Sequence, residues 1–158
     1  MKESALNEPI MLPATLKDIA VAVDGKSFIV LLETESGDIV PISIGQNEAL
    51  SIALARNGEH IQRPQTHDLM LSMLELMDAK LKHIEVCDLK DHVFYGKLIL
   101  EHRGIELDID ARPSDAMALA ARQNVDIFVA KHVDDELAMS DLTDDEDDLF
   151  DGLDAAEA

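Results

Sequence analysis

The sequence predicts an α+β fold: a mixed, largely antiparallel β-sheet packed with about three helices, followed by an acidic flexible tail. Three observations carry this expectation. Strand-like segments fall into two groups joined by short turns instead of alternating one by one with helices, which argues against a doubly wound parallel sheet. Three stretches repeat apolar residues at helical spacing. The charge is also uneven: of the net −20 carried by 158 residues, −12 falls on residues 134–158, which hold 12 acidic side chains and no basic one.

Residues 1–15, with Pro9 and Pro13, read as a flexible lead-in. Leu16 to Val23 and Ser27 to Thr34 read as two strands, with Asp24 and Gly25 supplying a hairpin turn. Ile39 to Ile44 follows as a third strand after Ser36, Gly37 and Asp38, and Pro41 inside it argues for a sheet edge, since proline cannot donate to the ladder. From Gln46 to Asn57 the spacing of Ala49, Ile52 and Ala53 predicts a helix stopped by Gly58, its alanines suited to close approach to a sheet.

Thr66 is a candidate cap for a second helix running to about Asp78, with Met70, Met73, Leu74 and Met77 as its core-facing stripe. Leu81 to Cys87, Val93 to Glu101 and Ile105 to Asp110 read as a meander; in the last strand Ile105, Leu107 and Ile109 alternate with acids. Pro113, Ser114 and Asp115 open a third helix that ends near Asn124, with Ser114 as candidate cap, and Val125 to Ala130 is a final strand. Residues 16–134 thus form one domain, and 135–158 are an acidic tail too self-repelling and too poor in apolar surface to order itself.

Several functions find no support. Cys87 is the only cysteine, so a disulfide framework is ruled out, and its strand setting suits an inert thiol. The first residues lack the apolar run of a signal peptide, and no stretch is long enough to span a bilayer, so no membrane role is expected and the cytoplasm is the default location. His60, His83, His92, His102 and His132 lack zinc-type spacing. Walker, dinucleotide and nucleophile-elbow motifs are absent, and the scarce aromatics make a base-stacking platform an unlikely design.

Two short motifs concentrate polar chemistry. Arg63-Pro-Gln-Thr-His-Asp68 puts a guanidinium, a hydroxyl, an imidazole and a carboxylate where a helix begins, a place that favours anions. His67 is a candidate acid or base, because imidazoles titrate near neutrality. The plainer reading makes Thr66 a cap, Asp68 a first-turn acid and Arg63 one half of an ion pair. Asp110-Ala-Arg-Pro-Ser-Asp115 sits between a strand and a helix. There Arg112 can grip a phosphate or carboxylate, and Asp110 and Asp115 can share a divalent ion. Alternatively, Arg112 and Asp110 latch the loop. Glu48 is either a further metal ligand or an ordinary first-turn glutamate, and Arg122 can face solvent or a cleft.

Together with Pro41-Ile-Ser-Ile-Gly45, Glu48-Ala49 and Phe94-Tyr95, these motifs resemble the bifunctional nuclease (DNase and RNase) domain family over roughly residues 16–134. The resemblance implies a compact α+β domain, often a homodimer, with shared polar positions at Glu48, Arg63, Thr66, His67, Asp68, Asp110, Arg112, Ser114, Asp115 and Arg122. It implies a metal-dependent nuclease in which Glu48, Asp110 and Asp115 hold Mg²⁺ or Mn²⁺. His67, Asp68, Asp110, Arg112 and Asp115 would form the catalytic set, and Arg63, Thr66, Ser114 and Arg122 would bind the nucleic acid. The alternative is a noncatalytic regulatory or binding domain that recognises a small anionic ligand or a protein partner, with the acidic tail recruiting a basic protein.

Overall fold

A computed structural model describes residues 8–138. Seven strands form one sheet in the order β3-β2-β1-β7-β4-β5-β6. The strands are β1 Met11–Val21, β2 Phe28–Thr34, β3 Ile39–Ile44, β4 Ala79–Lys90, β5 Val93–His102, β6 Ile105–Ala111 and β7 Asp126–Ala130. Two antiparallel meanders, β1-β2-β3 and β4-β5-β6, are joined through β7, which pairs antiparallel with β1 and parallel with β4. That pairing is the sheet's one parallel contact and makes it mixed. Pro41 lies in β3 at the sheet edge, as its missing N–H requires.

Three helices are α1 Gln46–Arg56, α2 Thr66–Leu76 and α3 Pro113–Gln123. Residues 131–138 form a fourth, α4, where the sequence predicts about three. The core is built from Val30 and Leu32 of β2, Val40 and Ile42 of β3, Ile84 and Val86 of β4, Leu98 and Leu100 of β5, and Val129 of β7. Against these pack Ile52 of α1, the run Ala116–Ala120 of α3, and Val133 of α4. Five consecutive buried residues make α3 the central helix, and its alanines let α1 and α2 lie against it. Helix α1 packs chiefly on α3 and touches the sheet mainly at β2.

Four local expectations are corrected. Strand β1 starts at Met11, inside the stretch read as lead-in; Pro13 gives the fold only its carbonyl, which accepts the Glu35 N–H at 2.8 Å, so the missing donor costs nothing. Residues 135–138, assigned to the tail, are helical: Val133 and Leu137, one turn apart, pack on the core, and Lys131 pairs with Asp135 at 2.7 Å. Residues 1–7 and 139–158, and with them most of the acidic tail, lie outside the described residues.

The methionines of α2 do not fill the core. His67, Leu71 and Leu74 face inward, while Met70, Met73 and Met77 are exposed. The helix phase is set by His67, which is buried at the helix start, and not by the methionine stripe. Neither predicted cap holds: Gln65 and Arg112 occupy the N-cap positions, Thr66 begins α2, and Ser114 lies buried in the first turn of α3 behind Pro113.

Candidate functional site

Two glycines fix the backbone around the site. A Cβ on Gly45 would overlap the Glu48 carboxylate, so glycine there lets Glu48 fold back over the start of α1. A Cβ on Gly96 of β5 would sit 2.9 Å from the Ala111 carbonyl oxygen and 3.2 Å from Pro113 N. Its absence lets the end of β6 and the start of α3 close onto β5, which sets where Arg112 and Asp115 project.

The result is a cleft of about 710 Å³ lined by Asn47, Glu48, Leu50 and Ser51 of α1, Pro64 to His67 and Met70 at α2, and Arg112 and Asp115 at α3. Three helix N-termini therefore meet at one opening, where exposed N–H groups and helix dipoles favour negative charge. The two sequence motifs also touch directly: His67 Nε2 lies 2.9 Å from Asp115 Oδ1.

Around this contact runs a continuous polar network. Arg112 donates to Asp115 through Nε at 2.8 Å and Nη2 at 3.1 Å, and through Nη1 to Glu48 Oε1 at 3.3 Å. The other imidazole nitrogen, His67 Nδ1, lies 2.7 Å from Ser51 Oγ. Ser51 Oγ accepts from Arg122 Nη2 at 3.1 Å, and Arg122 further donates to Asp68 Oδ1 at 2.9 Å, the Ser51 carbonyl at 3.2 Å and the Ala118 carbonyl at 2.9 Å. Asp68 Oδ2 takes the Gln65 N–H at 2.8 Å and so fastens the start of α2. Among the described residues no buried side-chain nitrogen or oxygen lacks a partner.

The electrostatics follow from these contacts. Burial pushes the Asp115 carboxyl up, but the hydrogen bonds from Arg112 and His67 and the charge of Arg112 outweigh it and hold Asp115 below the usual carboxylate range. Asp68 behaves likewise: burial raises it, and the Gln65 N–H together with Arg122 brings it below. Arg112 is held above its ordinary value by Asp115, and then by Glu48.

Of the candidate residues, Glu48, Thr66, His67, Arg112 and Asp115 line the cleft; Arg63, Asp68, Asp110, Ser114 and Arg122 do not. Arg63 is exposed before α2 and has no ion pair among the described residues, although its neighbours Pro64 and Gln65 reach the cleft. Arg122 faces neither solvent nor cleft: its side chain is 8% exposed and ties α1, α2 and α3 together from beneath. Asp110 is exposed within β6 opposite Lys97, and strand alternation turns it to the other side from Ile109 and Ala111. Arg112 latches to Asp115 and Glu48, not to Asp110.

The carboxylates named for Mg²⁺ or Mn²⁺ do not fit an ion as they stand. Glu48 and Asp115 are bridged by the Arg112 guanidinium, both Asp115 oxygens already accept hydrogen bonds, and Asp110 is turned away. Sequence reasoning missed Asn47 and Gln65 at the rim and, more centrally, Ser51. Its signal was a lone hydroxyl between Ala49 and Ile52 on the inward side of α1, where a buried polar group must find a partner.

Over the described residues, fold and cleft define an α+β protein with a polar opening at converging helix starts. The chain belongs to the bifunctional nuclease domain family, whose sequence profile matches residues 29–141. It is 39% identical over 106 residues to an uncharacterized protein of Mycobacterium tuberculosis, a match covering 66% of this chain and 63% of the relative. Bifunctional nuclease 1 of Oryza sativa subsp. japonica is 25% identical over 109 residues, which are 66% of this chain and 33% of the relative. Bifunctional nuclease 2 of Arabidopsis thaliana is 26% identical over 110 residues, 68% of this chain and 33% of the relative. The chain thus spans less than two thirds of the mycobacterial relative and about a third of the plant nucleases.

Proposed function

We propose that the protein is a nuclease that hydrolyses phosphodiester bonds of DNA or RNA in the cleft between α1, α2 and α3. The observation that carries this reading is the convergence of three helix N-termini with Arg112, whose side chain is 65% exposed at the same opening. A guanidinium that is both fixed at one edge and open at another can shift onto phosphate oxygens without leaving its carboxylates unsolvated. Glu48, released in part as Arg112 turns to the phosphate, is the carboxylate positioned to take a proton from an attacking water. His67 and Asp115 form the proton-holding pair behind it. Thr66, Gln65 and Asn47 supply polar contacts at the rim.

Mg²⁺ or Mn²⁺ would enter this scheme only by displacing Arg112. Purified protein incubated with plasmid DNA and with RNA is therefore expected to cleave both, and to keep cleaving in EDTA. Loss of cleavage in EDTA with recovery in either ion would refute the metal-free scheme while keeping the nuclease. Absence of cleavage under both conditions would remove the nuclease itself.

A second reading rests on His67, whose two nitrogens are both already engaged. It makes the cleft a binding site for an anionic ligand without chemistry, and the same assay separates it: nucleic acid is retained and left intact. A homodimer and a basic partner for the acidic tail belong to the proposal as well. The exposed stripe Ile105, Leu107 and Ile109 of edge strand β6 is the apolar surface that self-association would cover. Among the described residues no helix is long and apolar enough to cross a membrane.

A further inference from the structure

We infer that Ser51 sets the tautomer of His67, holding the ring proton on Nε2, where it is donated to Asp115. A guanidinium nitrogen can only donate, so Ser51 Oγ, 3.1 Å from Arg122 Nη2, is an acceptor there. The hydroxyl's own proton remains to be donated, and His67 Nδ1 is the acceptor 2.7 Å away. A neutral imidazole that accepts at Nδ1 carries its proton on Nε2, and Nε2 lies 2.9 Å from Asp115 Oδ1. Asp115 is held ionised, by Arg112 foremost among its partners, and can only accept. Every bond from Arg122 through Ser51 and His67 to Asp115 therefore runs in one direction.

The opposite tautomer breaks this order at both ends. Its Nδ1–H would take the second lone pair of the oxygen that already receives Arg122, and the serine proton would lose its acceptor. At the other end a bare Nε2 lone pair would face a carboxylate oxygen at 2.9 Å. Ser51 is 7% exposed, so it acts through His67 and is a positioning residue. The consequence for turnover rests on the nuclease reading. There Ser51→Ala lowers kcat about tenfold or more by misplacing the His67 proton and leaves KM nearly unchanged, because Arg112 keeps its contacts.

The tautomer itself is read without substrate. Protein carrying ¹⁵N-labelled histidine, in mildly alkaline buffer, is examined by long-range proton–nitrogen correlation of the imidazole rings. Wild-type His67 is expected to show the Nε2–H form, Ser51→Ala a partial loss of it, because Asp115 still favours a proton on Nε2, and Ser51→Thr a return toward wild type. A wild-type ring protonated on Nδ1, or on both nitrogens, overturns the inference even if the alanine variant fails to fold. So does a folded Ser51→Ala protein whose ring still shows pure Nε2–H. Failure to cleave nucleic acid would sink the nuclease reading and leave this result standing.

Discussion

Arg112→Ala is expected to lower cleavage of DNA and RNA about 10²- to 10³-fold, the scale on which a positioned donor to a developing phosphate charge contributes. The variant should still fold. Arg112 is 65% exposed, its ion pairs with Asp115 and Glu48 are screened by solvent, and thermal stability should change by about 1 kcal/mol or less. Chemical denaturation run beside the cleavage assay separates the two effects. A variant that cleaves at the wild-type rate removes Arg112 from the mechanism; one that unfolds shows that its latch is structural.

Arg122→Ala should act in the reverse sense, with stability falling first. The side chain is almost wholly buried and gives hydrogen bonds to Asp68, the Ser51 hydroxyl, and two carbonyls. Its removal strands these acceptors and leaves a gap at the junction of three helices. About 3 kcal/mol is expected, toward the low end for a broken buried pair, because Asp68 keeps part of its surface in water. The loss should depend on pH. Asp68 has a depressed carboxyl in the folded state, so its contribution is present above the unfolded value of about 3.9 and disappears as pH falls through the folded one. Denaturation midpoints of wild type and variant should therefore draw together below pH ~4. A gap that stays constant into acid would mean that packing, not the Asp68 pair, carries the loss.

Most of the fold was legible because its strands and helices obey short-range rules. Alternation marked β6, the edge position of β3 followed from Pro41, and α1 and α3 stand within a residue or two of where spacing puts them. The misses have definite causes. Pro9 and Pro13 suggest a lead-in, whereas Pro13 lies inside β1, where its carbonyl accepts the Glu35 N–H. Of the stripe expected on α2 only Leu74 packs on the core, beside Leu71 and the buried His67, while the methionines are exposed. The fourth helix was hidden by charge, since Val133 and Leu137 are the apolar anchors of an otherwise acidic stretch.

The site was half legible. Motif proximity identified His67, Arg112 and Asp115, and their meeting across two loops is the finding that joins them. Spacing could not tell that Arg122 and Asp68 point into the helix junction or that Asp110 turns to the far side of its strand, because each depends on tertiary phase. Ser51 escaped because its inward position on α1 shows that it needs a partner but not that the partners are His67 and Arg122.

The proposed chemistry requires that a phosphodiester bind in the cleft between α1, α2 and α3. The most direct measurement is a backbone amide NMR titration with a short oligonucleotide. Shifts are expected at Asn47 and Glu48, at Gln65 to His67 and at Arg112, Ser114 and Asp115, the three helix starts around one opening. Saturable shifts confined to other surfaces, with these amides unmoved, would contradict it.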